Sequence, residues 1–138
     1  IRWASYKGHT EVVKLLLSDP RVDPVSDDNE AIIEAARRGH TEVVKLLLSD
    51  SRVNPTADNN FAIVRAAEYG HTEIVKLLLT DPRVDPAAQD NYAIRKAAVN
   101  GHTEIVKLLL KDPRVNPTDK YNQAIQWAAQ FGHTEIFK

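Results

Sequence analysis

The sequence GHTEVVKLLLSDPRVDPVSDDNEAIIEAARR occupies residues 8–38, and closely similar segments of 31 residues follow it at 39–69, 70–100 and 101–131. Residues 1–7 and 132–138 match the end and the beginning of the same unit. A fixed period of this size is typical of solenoids, in which each unit buries its apolar face against its neighbours. We therefore predict one repeat domain over residues 1–138, with part-repeats at 1–7 and 132–138, shaped as a rod.

Each unit contains two segments with helical periodicity. Over residues 29–38 the apolar residues form one narrow stripe, consisting of Ala31, Ile32, Ala35 and Ala36. Over residues 41–49 a second stripe consists of Val43, Val44, Leu47 and Leu48, with Glu42 and Lys45 on the opposite side. We predict two short helices per unit, named helix A and helix B in chain order.

The ends of these helices are marked by particular residues. Asn29 can accept hydrogen bonds from the first free N–H groups of helix A, and Gly39 can adopt the left-handed conformation that ends it. Residues 50–55 cannot continue helix B, because three of the four units have Asp-Pro-Arg-Val here and proline lacks an N–H donor. The rest of the unit is predicted to be an extended turn.

The chain resembles the ankyrin repeat family over its whole length. The resemblance rests on the following pairs and their counterparts in the other units: Ala35-Ala36, Gly39-His40, Val43-Val44 and Leu47-Leu48. It implies an all-α, ankyrin-type solenoid of stacked helix-turn-helix repeats with short projecting turns. It also implies a non-catalytic module or adaptor that binds another protein.

Two features depart from the family pattern. The unit has 31 residues, whereas ankyrin repeats have about 33, so we expect a shorter projecting turn. The Thr-Pro-Leu-His opening of helix A is replaced by residues 30–33, Glu-Ala-Ile-Ile, so its capping role would pass to Asn29. Tetratricopeptide repeats are the nearest alternative, but their period is about 34 and their Trp-Leu-Gly-Tyr pattern is absent.

Differences between units concentrate at helix A positions 30, 33, 34, 37 and 38 and at turn residues 25–28. Their spacing forms the helix face opposite the alanine stripe, so we expect them to point away from the core. In ankyrin repeat proteins this face and the turns line the concave groove in which a partner binds. The resemblance therefore implies that the variable positions form the binding surface.

Aromatic residues support this interpretation. Phe137 alone occupies a core position, and the other eight aromatics occupy variable ones: Trp3, Tyr6, Phe61, Tyr69, Tyr92, Tyr121, Trp127 and Phe131. Tryptophan, tyrosine and arginine dominate binding hot spots. The candidate partner-binding residues are these aromatics together with Arg37, Arg38, Arg65, Arg95 and Lys96. The alternative is that some rings shield the stack by lying over neighbouring alanines, above all Tyr69 and Phe131.

Charged residues are divided between helix A and the turns. The variable helix A positions carry Arg2, Lys7, Arg37, Arg38, Arg65, Arg95 and Lys96 against Glu30, Glu34 and Glu68. The turns carry Asp27, Asp28, Asp58, Asp90 and Asp119 against Lys120. This pattern predicts a groove with a basic floor and an acidic rim, which favours acidic contacts from the partner. The alternative is that these charges are solvated and contribute little.

Composition excludes several other classes of function. The net charge of −1 gives no general attraction to nucleic acid or to an acidic membrane, and no apolar run approaches the ~18 residues of a membrane span. The chain has no cysteine, which excludes disulfides and thiolate sites and is compatible with an intracellular location, cytoplasmic or nuclear. We therefore expect a soluble protein whose partner is another protein.

The chemistry of a catalytic or metal site is also missing from the sequence. One histidine occupies the same place in each unit, at His9, His40, His71, His102 and His133. Neighbouring helices lie about 8–10 Å apart, too far for two such histidines to share a zinc ion. We expect their imidazoles to bond the backbone at the corner between helix A and helix B. No nucleophile motif or phosphate loop is present, so we predict no enzyme activity, metal or cofactor.

The two ends of the chain leave one alternative open. Residue 1 aligns with Ile32 inside helix A, and residue 138 aligns with Lys45 inside helix B. We expect a chain of this kind to be part of a longer array with fraying ends, since terminal units of solenoids normally have a polar outer face. The alternative function is a structural or designed scaffold without a natural partner, whose copies associate end to end.

Overall fold

A computed structural model describes residues 1–115 and Gln126. Within residues 1–115 the chain forms eight α-helices and no β-strand. The helices are α1 (Arg2–Lys7), α2 (Thr10–Leu17), α3 (Ser26–Arg38), α4 (Thr41–Leu48), α5 (Ala57–Glu68), α6 (Thr72–Leu79), α7 (Ala88–Val99) and α8 (Thr103–Lys111).

The helices alternate between the two predicted types. Helices A are α1, α3, α5 and α7, and helices B are α2, α4, α6 and α8. Within residues 1–115, each helix A packs against the helix B that follows it and against the neighbouring helices A. The contacts between successive helices A are the most extensive in the stack. Each helix B contacts the next helix B. This stacking confirms the predicted all-α solenoid of helix pairs.

The core is formed by the two predicted apolar stripes. Ala35 and Ala36 of α3 are fully buried, as are Val43 and Leu47 of α4. Because alanine has a small side chain, the row of helices A can pack closely, and the larger valines and leucines of helices B fill the remaining space. Val53, in the turn after α4, also joins this core.

Glycine is required where helix A meets helix B. Gly39 has φ 82° and ψ 23°, the left-handed conformation predicted for it. A Cβ atom at this position would also lie 2.6 Å from Cε1 of His71 in the next pair. A side chain is therefore excluded both by the backbone conformation and by the neighbouring ring.

The histidines connect successive helix pairs. Nε2 of His40 bonds the carbonyl oxygen of Tyr6 at 2.9 Å, and Nε2 of His102 bonds that of Glu68 at 3.0 Å. The expectation that these imidazoles bond the backbone at the corner is confirmed. The sequence did not reveal that the acceptor lies in the preceding pair, which makes each histidine a link between repeats.

The predicted capping role of Asn29 is wrong. No side chain caps α3, and Asp27, Asp28 and Asn29 have left-handed φ angles of 54°, 55° and 65°, so its right-handed part begins at Glu30. The left-handed turn directs the Asn29 amide to the next turn, where Oδ1 accepts the N–H of Asn54 at 2.9 Å. Asparagine and aspartate are the residues other than glycine that best tolerate this conformation.

The same arrangement recurs one pair further along the chain. Oδ1 of Asn60, which is 9% exposed, accepts the N–H of Asp85 at 2.8 Å. The asparagines therefore link successive turns on one side of the stack, while the histidines link successive corners.

The predicted outward orientation is wrong at one helix A position, for Ile33 and for its counterpart one repeat later, Val64. Ile33 and Val64 are 4% and 1% exposed and belong to the core. Because α3 packs between α1 and α5, more of its circumference is covered than the alanine stripe alone, and apolar residues at the stripe's edge gain free energy by burial. The counterparts of these residues in the outer helices are Arg2, which is exposed, and Arg95, which is half-buried.

Candidate interaction face

The variable positions of helices A bring most of the predicted binding residues together. We define the interaction face as the side chains of Trp3, Tyr6, Lys7, Glu34, Arg37, Arg38, Phe61, Arg65, Glu68, Tyr69, Tyr92, Arg95 and Lys96. The remaining predicted residues, Tyr121, Trp127 and Phe131, lie outside the described residues. Lys7 was not among the candidate binding residues, although it precedes Arg38 by one period of 31 residues.

The aromatic rings of this face differ in exposure. Trp3 is 66% exposed and Tyr69 is 48% exposed. Phe61 and Tyr92 are half-buried and pack against the core. The shielding interpretation therefore fits Phe61 and Tyr92 better than Tyr69, which was its expected example. Trp3 and Tyr69 present the most accessible aromatic surface.

At one end of the face, four side chains form what we call the first cluster: Trp3, Tyr6, Lys7 and Arg38. The Trp3 and Tyr6 rings are stacked, with centroids 5.2 Å apart and planes 19° from parallel. Nζ of Lys7 lies 5.5 Å from both centroids. The Arg38 guanidinium lies 4.2 Å from the Tyr6 centroid and also donates to the Tyr6 hydroxyl. Two cations therefore surround a stacked aromatic pair.

Tyr92, Arg95 and Lys96 of α7 form the second cluster. The Arg95 guanidinium lies 5.2 Å from the Tyr92 centroid, and Nζ of Lys96 lies 5.4 Å from it. Arg95 also donates to the carbonyl oxygen of Asp90 at 3.1 Å, which fixes its position beside the turn. This cluster likewise combines an aromatic ring with two positive charges.

Between the clusters, positive charges are neutralised by neighbouring carboxylates. Arg37 pairs with Glu34 at 3.1 Å, and Arg65 pairs with Glu68 at 2.5 Å. Interaction with the Tyr69 hydroxyl, followed by the charge of Glu34, raises the pKa of Arg37. The guanidinium therefore stays charged but paired, and the middle of the face is close to neutral.

The predicted basic floor is thus concentrated in the two clusters. Arg2 at the edge of the face is also paired, with Asp27 at 3.3 Å. Among the described residues, four cations of the face have no carboxylate within salt-bridge distance: Lys7, Arg38, Arg95 and Lys96. These unpaired cations belong to the first and second clusters.

The turns beside the face are acidic, as expected for the rim. The side chains of Asp28, Asp58 and Asp90 are exposed. A pocket of about 490 Å³ opens between two turns and is lined by Asp27, Asp28, Asn29, Glu30, Ile33, Asn54, Ala57 and Asp58.

Over the described part of the chain, no group of three or more histidine, cysteine or acidic side chains is arranged to hold a metal ion. None of the helices there could cross a membrane.

Comparison with known proteins agrees with this architecture. A family model described as "Ankyrin repeats (3 copies)" matches residues 1–90 and 80–138, which together span the chain. No curated protein gives a significant match.

Proposed function

Because the chain belongs to the ankyrin repeat family, whose repeats generally mediate protein–protein interactions, we propose that it is a non-catalytic module or adaptor that binds another protein through the interaction face. The observation that carries this proposal is the exposure of Trp3 and Tyr69 beside cationic side chains on the face that varies between repeats. Aromatic and arginine side chains are the residue types that contribute most to binding energy in protein interfaces.

The backbone beneath the face supports rigid presentation. The carbonyl oxygens that accept the histidine bonds belong to Tyr6, Arg37 and Glu68, all residues of the face. The histidines therefore hold α1, α3 and α5 at their C-terminal ends, at residues whose side chains belong to the face. A face on packed helices loses little conformational entropy on binding, so more of the contact energy contributes to affinity.

The alternative function is a structural or designed scaffold whose copies associate end to end. It is favoured by Val12 and Leu15 of α2, which are 46% and 71% exposed. Their counterparts Val43 and Leu46 lie on α4, which packs between α2 and α6. Val43 is fully buried there and Leu46 is partly buried. Sedimentation equilibrium separates the two functions, because self-association predicts a mass that rises with concentration, whereas the module alone predicts a constant monomer mass.

The proposed function can be tested by panning a random-peptide display library on the immobilised chain. We expect peptides selected on the parent chain to lose binding to a Trp3→Ala/Tyr69→Ala variant. The matched control is Lys45→Ala/Lys76→Ala, which changes two exposed residues of helices B on the opposite side. Melting curves of both variants should match that of the parent. The proposal would be contradicted by selected peptides that bind the Trp3→Ala/Tyr69→Ala variant as tightly as they bind the parent but no longer bind the Lys45→Ala/Lys76→Ala control.

A further inference from the structure

The distribution of unpaired charge on the interaction face specifies the chemistry of a partner more closely than membership of the ankyrin repeat family does. Among the described residues, four cations have no carboxylate partner: Lys7 and Arg38 of the first cluster, which are exposed, and Arg95 and Lys96 of the second cluster, which are half-buried. The ion pairs of Arg37 and Arg65 lie between them. The face thus has two positive sites separated by a neutral region.

The separation of the two sites follows from the stack. The first cluster spans α1 and α3, and the second lies on α7. Neighbouring helices pack about 8–10 Å apart, so two and a half helix spacings place the cluster centres about 20–25 Å apart. An extended polypeptide rises about 3.3 Å per residue and would cover this distance with about six to eight residues.

We propose that the partner is an extended acidic segment with two acidic groups about six to eight residues apart, one binding each cluster at the same time. This inference rests on the proposed function and defines its partner class. Each acidic group has a carboxylate for the cations and a neighbouring apolar side chain for the ring, of which Trp3 offers the largest exposed surface. The spacer between the groups crosses the neutral middle of the face.

A nucleic acid strand fits this arrangement less well than an acidic peptide. Its phosphates would follow one another across the whole face and would meet Glu34 and Glu68 in the middle. The exposed turn carboxylates of Asp28, Asp58 and Asp90 would repel the same backbone along the rim. A peptide can place negative charge only at the two clusters, and the chain's net charge of −1 gives no general attraction to polyanions.

Simultaneous binding at both clusters predicts that affinity depends on spacer length, whereas binding at a single cluster does not. Once one acidic group is bound, the second is held near its own site, and linking two such groups typically raises affinity about 10²–10⁴-fold when the spacer matches the distance. At about 0.1 M salt the Debye length is about 10 Å, so the two clusters act as separate electrostatic sites. Affinity should therefore depend on spacer length.

The test uses synthetic peptides with two Asp-Asp-Leu groups, measured by fluorescence anisotropy against the whole chain. One peptide has a neutral spacer of about four residues, which places equivalent residues of the two groups about seven apart, a second has a spacer of about one residue, which is too short to cover the distance, and a third has one acidic group only. We expect the long-spacer peptide to bind at least about 10-fold more tightly than the other two. A single-stranded oligothymidine of matching length serves as the nucleic acid probe and should bind more weakly.

Substitutions in each cluster complete the test. Lys96→Gln and, separately, Lys7→Gln should reduce the affinity for the long-spacer peptide to that for the one-group peptide. Lys45→Gln, on an exposed part of α4, is the matched control and should have no effect. Equal binding of long- and short-spacer peptides, no binding of either, or preferential binding of the oligonucleotide would overturn the inference. The proposed function would still stand if library-selected peptides required Trp3 and Tyr69.

Discussion

The Nε2 atom of His71 lies 2.9 Å from the carbonyl oxygen of Arg37 in the preceding helix pair. Because a carbonyl oxygen can only accept, Nε2 carries the proton in this bond. Arg37 also contributes its side chain to the interaction face. The same hydrogen bond therefore joins two repeats and fixes the backbone from which a variable side chain projects.

Replacing His71 by alanine should destabilise the protein by about 1–2 kcal/mol, since the Arg37 carbonyl loses its partner at a half-buried corner. His9 provides a matched control, because its ring is exposed and has no hydrogen-bond partner among the described residues. His9→Ala should leave the urea midpoint nearly unchanged. Equal midpoint shifts for the two variants would show that the link between repeats contributes nothing.

A leucine pair tests the assignment of buried and exposed positions in helices B. Leu78 is fully buried, so Leu78→Ala should cost roughly 2–5 kcal/mol from lost burial and the cavity that remains. Leu15 is 71% exposed, and Leu15→Ala should change stability by less than about 0.5 kcal/mol. Urea titration of both variants measures the difference, and similar midpoints would contradict the assigned faces.

Substitutions at Asn60 separate backbone conformation from hydrogen bonding. Asn60→Gly keeps φ 65° accessible but leaves the Asp85 N–H without its acceptor, which should cost about 1–3 kcal/mol. Asn60→Ala removes the same bond and adds about 1–2 kcal/mol for a left-handed alanine. The alanine variant should therefore unfold at a lower urea concentration than the glycine variant. A glycine variant as stable as the parent would exclude a stabilising role for the bond.

Stability should decrease in acid because of aspartates in the turns. The hydrogen bond from the Arg83 side chain lowers the pKa of Asp81, whose side chain is 16% exposed. A folded-state pKa below the unfolded value of about 3.9 means that the stabilisation is present above pH ~3.9 and is lost as pH falls through the folded pKa. The free energy of unfolding of an Asp81→Asn variant should therefore fall less than that of the parent when the pH is lowered from about 5 to about 2.

The control for this experiment is Asp58→Asn, at an exposed turn carboxylate without a salt bridge among the described residues. Its acid-induced loss of stability, measured from urea midpoints, should equal that of the parent. An Asp81→Asn variant with the parent's full pH dependence would show that the Arg83 hydrogen bond does not stabilise the turn.

The sequence predicted those parts of the fold that depend on periodicity. Helix B was expected at residues 41–49 and is Thr41–Leu48, and the left-handed conformation of Gly39 was also expected. These features follow from local spacing and from backbone sterics, which do not require knowledge of the neighbours.

Contacts between repeats could not be predicted in the same way. Asn29 has the properties of a helix cap, but its amide binds the next turn because three successive residues are left-handed. Ile33 was placed outside by its position in the helix, yet the neighbouring helices cover it. Its apolar side chain, shared with its counterpart Val64 although Arg2, Arg95 and Gln126 occupy the same position in the other units, was the indication that the sequence offered. Charge pairing within the face, such as Arg37 with Glu34, likewise depends on side-chain geometry.

Partner binding at the helix A side of the stack can be measured by amide chemical-shift mapping of the isotope-labelled chain during titration with a library-selected peptide. We predict perturbations concentrated in α1, α3, α5 and α7, around Tyr6, Arg38, Tyr69 and Lys96. Perturbations concentrated in α2, α4, α6 and α8 instead, around Lys45 and Lys76, would show that the partner binds the opposite side of the stack.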